Sequence, residues 1–312
     1  MAVEMTNNGI LSLDFWQDTV IYQGQSFPTR TLGCNSLNIP AAMVKRLEGL
    51  CIALNQAMGA ASTGELNAAL LDAARDSALQ IVDMLQSVPP FSYLDANRCR
   101  EQIERTVAPE QMNGINEYAA ALISGEAAFL ESRYKDAILF FRILPVMAQL
   151  GFSLREYQKT LFQFAGGLDK QDCQRTPEGY AAAFGSFFPP APSLTDGGAW
   201  MALTNSTVQY ASAQRPGQAE VMLVKRMHFV SFVGMFRSDL FEGLCVGHGP
   251  KKCPICGRWF LTMDARRTKY CGGLAPGDAR GRSCRQIGNL KGREQRELAA
   301  DHPLKVIYER RM

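Results

Sequence analysis

Four cysteines near the C-terminal end, Cys253, Cys256, Cys271 and Cys284, stand at the spacing C-x2-C-x14-C-x12-C. Nothing else in the chain restricts the fold as much. A structural zinc site is commonly closed by four thiolates in a tetrahedron, so such a set draws three separate segments to one point. A C-x2-C pair lets both sulfurs face one metal from a tight turn. Gly257, directly after the second cysteine, suits that turn because glycine accepts positive φ and leaves backbone amides free to point at the sulfurs. A redox dithiol of the thioredoxin kind should open a helix in a βαβ setting. Here CPICG runs into the β-like RWFL, and two more cysteines lie downstream. The pattern therefore reads as a Zn2+ clip with a structural role, against a redox dithiol or unrelated free thiols. His248 offers a substitute ligand that four cysteines make unnecessary.

The surrounding residues extend this reading. Arg258-Trp259-Phe260-Leu261 is strand-like, Asp264–Arg267 is a polar turn, and Thr268-Lys269-Tyr270 leads back to Cys271. Trp259 and Tyr270 then suit a mini-core of the finger. GGLAPGDARGR reads as a flexible loop. Ser283 and Gln286 have the spacing of a capping box, which puts Cys284 in the first turn of a helix, where the dipole favours a thiolate. Knuckle, hairpin and ligand at a helix start outline a treble-clef-like four-cysteine finger. With so small a core, metal binding of about 10–16 kcal/mol supplies most of the folding energy of such a module. The last stretch, DHPLKVIYERRM, reads as a short helix opened by Asp301.

The run CPICGRWF, with TKYC and SCRQIG behind it, resembles the C-terminal finger of an uncharacterised bacterial domain family that carries a variable helical part ahead of it. More loosely it is similar to CGNR-type zinc fingers, a resemblance that implies DNA binding. The chain reads CRQIGN after its last cysteine, so the namesake motif of that second family is not present as such.

Charge is distributed unevenly. The whole chain has a formal net charge of +3, yet residues 251–312 hold 15 Lys and Arg against 6 Asp and Glu, and the preceding 250 residues hold 18 against 24. This asymmetry suggests two modules, residues 1–245 and a basic finger over 246–312. Lys251, Lys252, Arg258, Arg266, Arg267, Lys269, Arg282, Arg285, Lys291 and Arg293 are the expected nucleic-acid contacts, with Arg280 and Arg296 beside them. Cations clustered on one module, several near a helix start, are the electrostatic footprint of a phosphate binder.

The first module reads as mainly α with a small N-terminal β element, α+β overall. ILSLDFW and TVIYQGQSF give a β-hairpin or three-stranded meander within residues 10–38, turning near Gln17–Asp18. Helices are expected from Asn38 as cap, from a Ser62–Glu65 capping box, over 114–150 with an interruption at Pro145, from a Ser153–Glu156 box, and from Thr176-Pro177. Pro89-Pro90 ends one of them, 189–198 is a linker, and AEVMLVKRMHFVSFVGMFRSDLFEGL reads as one long apolar helix to Leu244 that carries His228. No apolar run reaches the ~20 residues of a membrane helix, since Arg142 and Pro145 break the longest. No secretory signal is visible, and nine scattered or clustered cysteines fit a reducing cytoplasm. The helical part shows no glycine-rich phosphate loop, G-x-S-x-G, H-E-x-x-H or D-x-D-x-D. Three readings follow: a nucleic-acid-binding or regulatory zinc protein, a protein-interaction or self-association module with a purely structural finger, and an enzyme whose site lies among the helices.

Overall fold

The computed structural model describes residues 11–125, 134–170, 176–188, 206–262 and 268–298, with Pro303 and Ile307. The 189–198 linker, the 264–267 turn with Arg266 and Arg267, and the segment from Asp301 onward, those two residues apart, lie outside that range.

The N-terminal β element is a three-stranded antiparallel meander: β1 Ser12–Trp16, β2 Thr19–Tyr22 and β3 Gln25–Pro28. Leu13, Phe15, Val20 and Tyr22 alternate onto its buried face. The first turn falls at Gln17–Asp18, with Gln17 at φ 54°. The second uses Gln23-Gly24, both at positive φ, the geometry that matches the twist of paired strands. Residues 31–36, expected within the β element, instead form helix α1 (Thr31–Ser36). Its start is fixed from far away. Asp239 Oδ1 accepts the Arg30 N–H at 2.7 Å and Oδ2 accepts that of Gly33 at 2.9 Å. A helix opened by a carboxylate 209 residues downstream leaves no local cap to read.

Among the described residues seven α-helices follow: α2 Ala41–Ser62, α3 Ala68–Leu85, α4 Ala96–Thr106, α5 Met112–Ser124, α6 Lys135–Ala148, α7 Leu150–Lys170 and α8 Pro177–Phe187. Thr176 caps α8 through the Gly179 N–H, as expected. Other caps differ. Pro40, not Asn38, holds the N-cap position of α2. Ser62 is the last residue of α2, and the cap of α3 is Asn67, which accepts from Leu70 N–H. Ser153 lies inside α7 rather than at its start, because α6 and α7 part at Gln149 instead of at Pro145. Burial of Phe140, Leu144 and Met147 around Pro145 outweighs the one backbone bond that proline removes. Helix α4, capped by Asp95, has few buried apolar residues and so escaped the hydrophobic pattern. Taken end to end, Lys135–Asp169 does reach the length and apolarity of a membrane span, which corrects the reading that no run does; half of its apolar window is buried inside the protein.

The main correction concerns residues 219–244. They are not one helix. Val221–Phe229 is strand β5, preceded by β4 Ser206–Gln214, and only Phe232–Cys245 is helical, as α9. A continuous apolar run fits both periods equally. What decides is a partner on each side: β5 pairs antiparallel with β1 and with β4, giving a five-stranded sheet of order β3-β2-β1-β5-β4. Pro216-Gly217 turns the hairpin, and Ser231 Oγ accepts the Gly234 N–H to start α9. His228 therefore sits on a strand, opposite Ser12, with its Nδ1 2.8 Å from Ser12 Oγ.

Helix α2 is the centre of the helical layer. Val44, Leu47, Cys51, Leu54, Ala57 and Ala61 line its buried stripe against α3, α6 and α7. Gly151 of α7 lies directly on the α2 backbone: a Cβ there would stand 2.6 Å from Glu48 N. Helix α9 packs on α1, α7 and α8. Between them lies Arg30, fully buried, with its guanidinium over the Tyr180 ring at 5.7 Å and none of its three nitrogens hydrogen-bonded among the described residues. Burial lowers its pKa to about 10, which leaves it charged at neutral pH. Burial likewise raises Asp239 to about 6, opposed by the amides of Gly33, Arg30 and Leu32 and by the Arg30 charge.

The cysteine module contributes β6 Gly249–Lys252, β7 Trp259–Thr262 and α10 Cys284–Leu298. β6 lies against α7 and β7 against α1.

Candidate metal centre

The knuckle is the turn of the β6–β7 hairpin. Cys253 N–H donates to Arg258 O and Gly257 N–H to Cys253 O, both at 2.8 Å, and Gly257 takes φ 73°. The strand RWFL is present as expected, but its partner is not the segment 268–270. β7 pairs with β6, upstream of the knuckle, from Gly249↔Thr262 to Lys252↔Trp259. Alternation along β7 then divides its side chains. Trp259 packs on the main hydrophobic core, so it is not part of a finger mini-core, whereas Phe260 packs beside the cysteines.

Cys271 follows Tyr270 into the glycine-rich loop. That loop is tied down. Asp278 accepts the Arg282 N–H at 2.7 Å and its guanidinium at 2.6 Å, Ala275 N–H donates to Arg282 O, and Leu274 bridges Ser283. The Arg282 side chain holds Asp278 down to about 2. The capping box is realised in both directions: Ser283 Oγ accepts Gln286 N–H at 3.2 Å and Gln286 Oε1 accepts Ser283 N–H at 2.8 Å. Cys284 is accordingly the first residue of α10. Tyr270 packs on Gly288, where any Cβ would run into the ring.

These elements bring together the four sulfurs that the spacing pointed to. All four Sγ atoms lie within 4.8 Å of one another, and Cys256 and Cys271 are 3.5 Å apart. A tetrahedron with metal–sulfur bonds of about 2.3 Å has edges of about 3.8 Å, so the cluster fits one ion. All four thiols are free, so no disulfide competes. Without a metal the thiols are driven apart: burial raises Cys253, but backbone amides of Cys256, Cys271 and Ile255 aimed at its sulfur lower it overall, whereas burial and the neighbouring cysteines push Cys284 up. A dication is the charge that lets all four ionise together. The core of the module is small: Cys253, Ala275 and Cys284 are buried, with Ile255, Phe260, Tyr270 and Ile287 half-buried around them.

Two bridges join the knuckle to the main body. Asn38, freed from capping, uses its side chain as a strand edge: Oδ1 accepts Trp259 N–H at 2.7 Å and Nδ2 donates to Trp259 O at 2.8 Å. His248 does not approach the cysteines; it is buried, with Nδ1 3.0 Å from Thr29 O. Asn38→Ala leaves both Trp259 backbone groups half-buried without their partner. The expected cost is about 1–3 kcal/mol, read as a lower Tm with unchanged metal content.

The expected phosphate contacts divide by environment. Lys252, Arg258, Lys269, Arg285 and Lys291 are exposed and make no ion pair among the described residues. Arg280 and Arg293 are also exposed, and Lys251 is half-buried on β6. Arg282 is committed to Asp278.

The enzyme reading meets a cavity of about 1390 Å³ lined by α3, α4, α6 and the β5–α9 junction, mostly apolar, with His228 on its wall. Burial and the Arg226 charge lower the His228 pKa, and its Nε2 has no hydrogen bond among the described residues. Its contact with Ser12 runs across the β1–β5 pair.

No curated protein and no solved structure matches the chain. A family model described as a family of unknown function (DUF6076) matches residues 201–312, a stretch that takes in β4, β5, α9 and the whole cysteine cluster.

Proposed function

We propose that the cysteine cluster holds a structural Zn2+ and that the module it closes binds nucleic acid through phosphate contacts. Four sulfurs at tetrahedral spacing suit zinc or iron, and with no open position the metal has a folding rather than a catalytic role. The observation that carries the binding reading is where the unpaired cations sit. Lys252 precedes Cys253, Arg258 follows the knuckle, Lys269 precedes Cys271 by two residues, and Arg285 follows Cys284. The metal that fixes the ligands therefore fixes the cations. On α10, Arg285, Asn289 and Arg293 stand at i, i+4 and i+8, one polar face of the helix. A zinc tetrathiolate carries two net negative charges, which two of these cations offset; the others are available to phosphate.

The test is fluorescence anisotropy of a labelled DNA duplex against the full chain over a range of salt, with metal content measured in parallel. Affinity is expected to fall steeply with log salt, and Arg285→Ala to reduce that slope by about 1 while leaving one zinc per chain. Absence of salt-dependent binding overturns the nucleic-acid reading, and iron in place of zinc overturns the metal assignment.

A further inference from the structure

The core-facing side of the five-stranded sheet extends further than the helices that cover it. On β1 that face carries Leu13 and Phe15, both buried; across β5 and β4 the register places Met227 and Lys225, then Val208 and Tyr210, on the same side. Lys225 marks where the helical cover stops, since it pairs with Glu242 of α9. Beyond it the apolar residues lie bare: Tyr210 is 73% exposed, Leu223 70%, Val221 65% and Val208 53%. Ser212↔Leu223 and Gln214↔Val221 are cross-strand pairs, so all four belong to one stripe. A contiguous apolar patch of this kind on a sheet marks an interaction surface.

The strand bordering the stripe is an unprotected edge. Among the described residues nothing pairs with the outer side of β4. Its nine residues, STVQYASAQ, contain no charge, proline or glycine, the devices by which edge strands ordinarily resist pairing. The opposite edge, β3, is four residues long and ends at Pro28.

We infer that β4 pairs antiparallel with β4 of a second copy of this chain, about a two-fold axis at Tyr210, giving a continuous sheet across the dimer. The strand is self-complementary under that operation. Val208 falls opposite Ser212 and Thr207 opposite Ala213, no like charges meet, and the two bare stripes lie side by side on one face. Val208 and Tyr210, which border the edge, come against their symmetry mates, and the backbone N–H and C=O groups on the outer side of β4 pair across the axis. This goes beyond the finger and holds whatever the finger binds.

Sedimentation equilibrium on the full chain tests it. Wild type is expected to be a dimer. Tyr210→Lys places two like charges at the axis, and the dissociation constant is expected to rise at least about a hundredfold with an unchanged circular dichroism spectrum. Tyr210→Glu behaves alike alone, and the two variants mixed are expected to recover a heterodimer. A monomeric wild type, or a dimer that Tyr210→Lys leaves intact, overturns the inference. So does a mixture that stays monomeric while both variants are folded.

Discussion

Cys284→Ser is expected to release the metal and unfold the stretch from Tyr270 through α10, while β6, β7 and the helical body stay folded. The reason lies in how the cluster is supported. Three buried residues and six half-buried neighbours, the four cysteines among them, form the core around the sulfurs, too little apolar surface to order some thirty residues without the metal. Structural zinc binding contributes about 10–16 kcal/mol, and with one thiolate gone most of that is lost. The knuckle has other anchors. Asn38 holds both backbone groups of Trp259, Trp259 packs on the main core, and Thr262 Oγ1 donates to Gly249 O. Hydrogen exchange read by mass spectrometry, with metal content alongside, checks it: amides of α10 lose protection and those of α1, α7 and β7 keep theirs. A strong chelator applied to wild type gives the same map. Loss of protection throughout the chain would instead show that the metal stabilises the helical body as well.

Asp239→Ala is expected to cost about 3–5 kcal/mol, enough to unfold a marginal domain. Three losses coincide. The Arg30 and Gly33 amides lose their acceptor at the start of α1. The Arg30 guanidinium, fully buried and still charged at neutral pH, loses its carboxylate neighbour. The contact of α1 with α9 is left without its polar tie. Asp239→Asn restores one acceptor but not the charge, and should recover part of the loss. Urea unfolding monitored by circular dichroism measures both. Because α1 also supports β7, the alanine variant should further weaken the seat of the knuckle without touching a metal ligand.

The parts of the chain that were legible share a property: their determinants are close in sequence. Alternation in SLDFW and TVIY shows directly as the meander, because burial on one face of a strand has a period of two. Ser283 and Gln286 mark the start of α10, and Thr176-Pro177 that of α8, because a cap bonds within three residues. The cysteine spacing named the four sulfurs that converge. Misreadings occurred where the deciding partner is remote. Asn38 has the composition of a cap but serves Trp259, 221 residues away. Residues 221–229 suit either period, and only the presence of β1 and β4 on both sides makes them a strand. The Ser62–Glu65 and Ser153–Glu156 boxes have the right spacing, yet packing carries α2 through the first and starts α7 ahead of the second.

By itself, then, the sequence determined the four cysteines that converge, the basic character of the module around them and the local signals that start and stop several elements. These rest on covalent spacing, composition and short hydrogen-bonded loops. Tertiary structure alone decided that β4 and β5 complete the N-terminal sheet, that the knuckle hairpin closes on β6 and seats against α1 and α7, and that a buried aspartate opens α1. Apart from the β6–β7 pairing itself, those depend on groups far apart in the chain competing for one buried position, and the outcome is set by which polar groups find partners there and how much apolar surface the winner covers.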